Sequence, residues 1–171
     1  MHPTAKLVVA VGAALVVAVF GCGYRPLVAR VPGGGERIAV PPVENRTSYA
    51  GLAGPLAGAL RRELARDGLD VVGSGQGAPR LEVVLARIDG GPGMLGTAGD
   101  RLVPVDIRWE VTAEAAVVDA GGARSDPVQV RAVGRSVAGD GVTAEEELGD
   151  RTRQQLVDEL AREIVRALFH E

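Results

Sequence analysis

Residues 102–118, LVPVDIRWEVTAEAAVV, carry the clearest pattern in the chain. From Val103 to Val117 every second residue is apolar, and the residues between them are mostly polar or charged. Because successive side chains of a strand point to opposite faces, this period of two predicts a long strand with one apolar and one polar face. Such a strand is typical of an antiparallel sheet that is covered on one side only.

Strand character extends outward from this segment in both directions. The turn at residues 119–127, DAGGARSDP, predicts that the following strand returns beside the central one. Residues 90–100, GGPGMLGTAGD, are predicted to form a flexible hairpin loop before it. The further predicted strands are residues 36–42, 69–72, 80–88 and 128–137.

Two amphipathic helices are predicted to cover the apolar face. In residues 51–67 leucines recur every four positions, and Gly68 is well placed to end the helix. Residues 144–169 carry a second leucine-rich stripe, preceded by a capping box from Thr143 to Glu146, and Gly149 can bend this helix. At 1.5 Å per residue the second helix would be about 40 Å long. The predicted element order is β-α-β-β-β-β-α.

This order predicts an α+β fold in two layers. Two amphipathic helices pack on one face of a mostly antiparallel sheet, because each element must bury its apolar side against another. The chain has 171 residues, 46% of them hydrophobic, with a formal net charge of -3. That length and composition favour a single globular domain, predicted over residues 36–171.

The first residues have the pattern of a secretion signal. Lys6 precedes an uncharged apolar run at residues 7–20, which fits a signal peptide over residues 1–21 and is short for a membrane span. The sequence Val-Phe-Gly-Cys that ends at Cys22 resembles a bacterial lipobox, so Cys22 is predicted to carry the lipid, with a flexible tether over residues 22–35. Gly23 is not Asp, so outer-membrane delivery is favoured. An uncleaved anchor helix, or an incidental Cys near an ordinary cleavage site, remains an alternative.

The composition excludes several functional classes. A single Cys rules out an intramolecular disulfide and a cysteine-built zinc site. An isoelectric point near 5.5 argues against nucleic-acid binding through bulk positive charge. His2 and His170 lie at the chain ends, and no nucleophile or metal-ligand cluster is evident, so we expect no enzyme, no metal and no cofactor. The Gly91-x-Gly93-x-x-Gly96 spacing fits a dinucleotide fingerprint, but a strand follows where that motif needs a helix.

Arginines are the chemical groups that remain. In the alternating strands, Arg108, Arg131 and Arg135 can cluster on the open sheet face together with Asp106 and other carboxylates. Guanidinium groups bind phosphate and carboxylate in a bidentate manner. A solvated or ion-paired surface role is the alternative for each of them.

Four stretches resemble the lipopolysaccharide-assembly lipoproteins of the LptE family. The element order also fits along essentially the whole chain after the signal. The similar stretches are residues 22–27 (CGYRPL), 38–47 (IAVPPVENRT), 60–69 (LRRELARDGL) and 160–169 (LAREIVRALF).

The resemblance implies a non-enzymatic, lipid-anchored protein of the outer membrane. It would sit as a plug inside a large β-barrel, the translocon LptD, help that barrel fold, and help to pass lipopolysaccharide to the outer leaflet. Some members are thought to bind lipopolysaccharide through basic residues near the sheet, which makes Arg108, Arg131 and Arg135 candidate contacts. A periplasmic adaptor lipoprotein for another envelope machine, such as a secretion pore or a peptidoglycan synthase, is the alternative.

Overall fold

The structure is a computed structural model that describes residues 31, 34–73, 77–98, 100–137 and 149–170. Among these residues no helix is both long enough and apolar enough to span a membrane. The elements, in chain order, are β1 (Arg37–Ala39), β2 (Glu44–Asn45), a 3-10 turn (Ala50–Leu52), α1 (Ala53–Arg66), β3 (Asp70–Val72), β4 (Arg80–Ala98), β5 (Arg101–Val118), β6 (Val128–Val137) and α2 (Asp150–Phe169).

The strands form one mixed sheet in the order β3-β1-β4-β5-β6, and β2 also pairs with β4. The long pairs β4–β5 and β5–β6 are antiparallel, whereas the short strands β1 and β2 run parallel to β4. Both helices pack on one face of this sheet. The predicted two-layer α+β class with a mostly antiparallel sheet is therefore confirmed.

The core lies between the sheet and the helices. On β5 the side chains of Trp109, Val111 and Ala113 are buried, as the period of two predicts, and they meet the leucines of the two helices. The indole N–H of Trp109 donates to the hydroxyl of Ser136 at 2.9 Å, and the ring lies edge-on to Tyr49 with centroids 5.5 Å apart. Since a buried indole N–H needs a partner, this bond fixes the ring in the core.

The end of α1 follows the prediction. Gly68 adopts φ +85, the left-handed conformation that glycine tolerates best. The N–H of Gly68 donates to the carbonyl of Ala65, and the N–H of Leu69 donates to that of Leu64. These two bonds form a Schellman motif, which satisfies carbonyls that the helix end would leave without partners.

The start of α2 differs from the prediction. Gly149 has φ -48 and ψ 152, so it is the N-cap of a helix that begins at Asp150, and it is not a bend within a helix from residue 144. The 20 residues of α2 span about 30 Å rather than 40 Å. The predicted capping box at Thr143 lies outside the described residues.

The predicted loop at residues 90–100 is also wrong, because β4 continues to Ala98, which pairs with Arg101. The glycines there allow close packing: a Cβ on Gly90 would lie 2.7 Å from Cζ3 of Trp109. Register shifts between Pro92 and Leu95 absorb the proline. The segment is thus the outer part of a long hairpin, where glycine is needed for proximity rather than for flexibility.

The polar segment after β1 is partly a strand. Glu44 and Asn45 pair with β4. A turn follows, in which Oδ1 of Asn45 accepts from the backbone N–H of Thr47 at 2.9 Å and Nδ2 of Asn45 donates to the carbonyl of Tyr49 at 2.7 Å. Asn45 therefore hydrogen-bonds the turn backbone from within the fold.

Candidate functional site

The sheet face opposite the helices carries a set of charged side chains on β4, β5 and β6, which we call the open face. The antiparallel register sets Arg108 directly beside Arg135 and Thr112 directly beside Arg131. The structure thus places all three arginines named from the sequence on one face, with Arg108 and Arg135 as direct neighbours and Arg131 four residues from Arg135 along β6. The open face comprises Arg87 and Asp89 on β4, Asp106, Arg108, Glu110, Thr112 and Glu114 on β5, and Gln129, Arg131, Val133 and Arg135 on β6.

The three arginines differ in how closely a carboxylate approaches them. Nη1 of Arg131 donates to Oε1 of Glu110 at 3.2 Å. By contrast, Arg108 lies 4.0 Å from Glu110, and Arg135 lies 3.8 Å from Asp106. These two distances are too long for a hydrogen bond. The side chains of Arg108, Arg131 and Arg135 are 51%, 61% and 66% exposed, so their guanidinium groups can be reached from solvent.

Arg108 and Arg135 form an unfavourable pair within the sheet. Like charges that lie directly opposite each other on neighbouring strands destabilise the pairing. Glu110 is divided between Arg108 and Arg131, and among the described residues neither Arg108 nor Arg135 has a carboxylate within hydrogen-bonding distance. An anion placed between the two guanidinium groups would relieve the repulsion, and phosphate matches the donor geometry of arginine.

Asp106 is poorly placed to neutralise Arg135. Its Oδ1 is buried and makes no hydrogen bond within the described part of the chain, and it lies against Gly93, where a Cβ would collide with it. Only Oδ2 faces Arg135. At 3.8 Å, Oδ2 of Asp106 makes an ion pair with Arg135 but no hydrogen bond.

The sequence reasoning missed two further ion pairs beside this cluster. Arg87 contacts Asp89 at 2.5 Å on β4, and Arg46 donates to Glu44 at 2.8 Å. The hydrogen bond from Glu44, followed by its negative charge, raises the pKa of Arg46 above its ordinary value. The spacing of two residues in each pair was the available signal, since such residues share a strand face.

The histidines and the single Cys are the remaining groups considered in the sequence analysis. His170 contacts Asp67 at 2.8 Å and links the ends of the two helices. Within the described ranges, no three His, Cys, Asp or Glu side chains are placed to hold a metal ion. His2 and Cys22 lie outside the described residues.

Residues 36–169 match the model of the family LptE: Lipopolysaccharide-assembly. The chain belongs to the LptE family. No curated protein matches it. A minor lipoprotein from Acinetobacter baumannii has a similar structure, with 16% identity, a TM-score of 0.50, and coverage of 77% of this chain and 90% of that chain. Rare lipoprotein B from Shewanella oneidensis is similar at 13% identity and a TM-score of 0.49, covering 77% of this chain and 92% of that chain.

Membership of the LptE family confirms the resemblance seen in the sequence. The family consists of non-enzymatic assembly lipoproteins of the cell envelope, so the prediction that this chain is not an enzyme is confirmed as well. At 16% identity, the Acinetobacter structure shows a shared fold and nothing further. The role in lipopolysaccharide assembly follows from the family, whereas the residues that perform it are a separate question.

Proposed function

We propose that this LptE-family chain is an outer-membrane lipoprotein that assists assembly of the lipopolysaccharide translocon barrel, an LptD-like protein. It would also assist transport of lipopolysaccharide to the outer leaflet. The family match over residues 36–169 carries the proposal, because it covers the whole two-layer domain rather than one motif. The two-layer arrangement supports it, since a small domain with one polar sheet face can lie in a water-lined barrel and make many polar contacts.

The proposed anchor is the lipid on Cys22. After cleavage, a diacylglycerol on the thiol and an acyl chain on the new amine would hold the protein in the outer membrane, with residues 22–35 as the tether. Several chains are needed, because each buried CH₂ contributes about 0.8 kcal/mol and one chain anchors only reversibly. The globular domain would then face the periplasm or the lumen of the barrel.

The proposed lipopolysaccharide contact is the cluster of Arg108, Arg131 and Arg135. Arg108 and Arg135 lie opposite each other, are half exposed or more, and have carboxylates only at 4.0 and 3.8 Å. Lipopolysaccharide carries phosphate groups, and a phosphate between two guanidinium groups would accept from both in a bidentate manner. Arg131 lies four residues from Arg135 along β6, beyond the row of Glu110 and Val133, and would support the site from there, although it must share its charge with Glu110.

The barrel partnership is tested by purification of the full lipoprotein from its native outer membrane in a mild detergent. We expect a stoichiometric complex with a large β-barrel protein. A Cys22→Ser variant, which has no thiol to acylate, should lose membrane retention. Recovery of the lipoprotein alone, while the barrel stays intact in the same extract, would count against the proposal. Recovery with a secretion pore or a peptidoglycan synthase instead would support the adaptor alternative.

The lipopolysaccharide contact is tested with two charge-reversal triples of equal net charge. The first changes Arg108, Arg131 and Arg135 to Glu. The control changes three exposed, ion-paired helix arginines, namely Arg62, Arg162 and Arg166, to Glu. We expect the sheet triple to bind purified lipopolysaccharide at least about tenfold more weakly, whereas the helix triple stays within about twofold of the wild type.

Both triples change long-range electrostatics to the same extent, so the difference between them reports the site itself. An equal loss in the two would mean that only net charge matters. Unchanged binding by the sheet triple would reject these residues without affecting the family assignment. Repeating the titration at higher salt separates the two effects, because direct bidentate contacts persist when longer-range attraction is screened.

A further inference from the structure

The outer edge of β6 is a second surface of interest, because its backbone groups have no strand partner among the described residues. β6 is the last strand of the sheet and pairs along one side with β5, from Val128 opposite Ala115 to Val137 opposite Asp106. In the described part of the chain, no strand pairs with its other side. Val130 and Ala132 anchor the strand in the core, so its position is fixed by packing on the helix side.

A contact from α2 shows which backbone groups point outward. The hydroxyl of Thr152 donates to the carbonyl of Arg135 at 3.0 Å, from the helix that passes beneath this end of the strand. In an antiparallel ladder, alternate residues direct both N–H and C=O to the same side. We therefore infer that Gln129, Arg131 and Val133 also direct their backbone groups to the outer edge. No hydrogen bond joins these groups to another element of the described chain.

Within the described residues, the only protection against strand addition along this edge is the charge of its arginines, which blocks some partners and not others. An open edge is a template for another strand unless a bulge, a proline or a charge protects it. Residues 128–133 contain neither Pro nor Gly, and the β5–β6 ladder has no register shift. Only the end at Arg135 is capped, by Thr152. In the part of the chain that the structure describes, a short segment of about three outward residues therefore stays available.

The charges along the edge disfavour a second copy of the chain as its occupant. Arg131 and Arg135 bracket Val133, and all three side chains lie on the open face. In an antiparallel pairing of two β6 edges, every well-overlapped register places an arginine opposite or diagonal to an arginine of the other copy. Like charges at these positions destabilise the pair. The same spacing would favour a strand with carboxylates four residues apart.

We propose that the outer edge of β6 binds an extended segment of another protein by strand addition, and that this segment has the pattern acid-x-apolar-x-acid. The acidic side chains would lie beside Arg131 and Arg135, and the apolar side chain would lie beside Val133, which is 44% exposed. Arg135 has its carboxylate neighbour only at 3.8 Å, so an added acid would improve its pairing. Strand addition supplies affinity through the backbone and specificity through alternate side chains. This inference does not rest on the proposed function.

The test uses the full lipoprotein in detergent and a fluorescently labelled peptide with the core Glu-Thr-Val-Thr-Glu. A peptide with Lys in place of both Glu residues is the control. Val133→Pro removes one outward N–H without touching the β5 ladder, and Val133→Thr keeps it. We expect the acidic peptide to bind the wild type and Val133→Thr with affinities within about twofold, and Val133→Pro at least about tenfold more weakly.

Backbone methylation of the peptide keeps the test decisive if Val133→Pro does not fold. A methyl group on the N of the central Val blocks a bond to the edge, whereas a methyl group on the N of either Thr points away from it. Loss of binding is expected only for the first. The proposal would be overturned if the Lys peptide bound equally well, or if both methylations had equal effects. It would also be overturned if the acidic peptide did not bind at millimolar concentration, or if the protein formed a dimer that Val133→Pro abolishes.

Discussion

The two faces of β5 differ in composition and in role: one is apolar and buried, and the other is charged and partly exposed. On the core face Trp109, Val111 and Ala113 are almost completely buried between the sheet and the helices. On the open face Arg108 and Glu110 alternate with them, remain partly exposed and make only ion pairs. One strand can therefore stabilise the fold through every second residue, which is apolar and buried, while the residues in between present charged side chains to solvent.

The two faces also contribute very different energies. Burial of apolar surface contributes about 25 cal/mol per Å², so a large core residue is worth several times an exposed ion pair, which contributes about 0–1 kcal/mol. The open face can therefore change its charges with little effect on folding. Substitutions on the two faces of β5 should differ by several-fold in their effect on stability, and three experiments test this difference.

The largest effect is expected for Trp109→Ala on the core face. It removes the largest buried side chain of the sheet, the edge-on contact with Tyr49 and the hydrogen bond to Ser136. We expect the free energy of unfolding to fall by about 3–5 kcal/mol, as is typical of aromatic-to-alanine changes in a core. Urea unfolding monitored by circular dichroism would measure it. Trp109→Phe, which keeps most of the ring volume, is the control and should cost clearly less.

An intermediate effect is expected for Gly90, and its neighbour supplies the matched control. Gly90 lies on the core face, where a Cβ would approach three atoms of the Trp109 ring to within 3.0 Å or less. Gly91 lies on the open face, where nothing is within 4 Å of an added Cβ. Gly90→Ala should cost about 1–3 kcal/mol, as overpacking does, and Gly91→Ala should be neutral or stabilising by about 0.5 kcal/mol.

Thermal unfolding of the two glycine variants side by side measures this difference. Because both substitutions add the same methyl group to adjacent residues, strand propensity and chain entropy nearly cancel. If the two variants melted at the same temperature, this result would contradict the close packing of the Trp109 ring against Gly90. The described extension of β4 beyond Ile88 would then lose its physical reason as well.

Much of the fold could be predicted because its signals are local. The period of two in β5, the leucine spacing of α1 and the stop at Gly68 each depend on neighbouring residues. The outer half of β4 could not be predicted in this way. Gly90 and Gly93 appear as loop residues until Trp109 and Asp106 of the adjacent strand are known to lie against them. Gly149 was predicted to bend a helix, but it lies at the N-cap. The sequence alone does not show whether a glycine in a helical pattern bends the helix or precedes its first residue.

The sequence predicts which residues form the candidate site, but it does not predict which of them lie opposite each other. Alternation alone places Arg108, Arg131 and Arg135 on one face. Their exact partners depend on the register between β5 and β6, and a shift of two residues would leave the face unchanged while moving every pair. For that reason the direct opposition of Arg108 and Arg135, which is the most informative feature of the site, is visible only in the structure.

The smallest effect is expected on the open face, where the coupling free energy between two side chains should be favourable for one pair and unfavourable for another. In a double-mutant cycle, Arg131→Gln and Glu110→Gln should show a favourable coupling of a few tenths of a kcal/mol, because their side chains are hydrogen-bonded. Arg108→Gln and Arg135→Gln should show a coupling of similar size and opposite sign, since like charges face each other there. Urea unfolding at low salt resolves both, and added salt should shrink them together. A favourable coupling between Arg108 and Arg135 would mean that an anion already bridges them in the purified protein, and its loss after extensive dialysis would show that this anion can be exchanged.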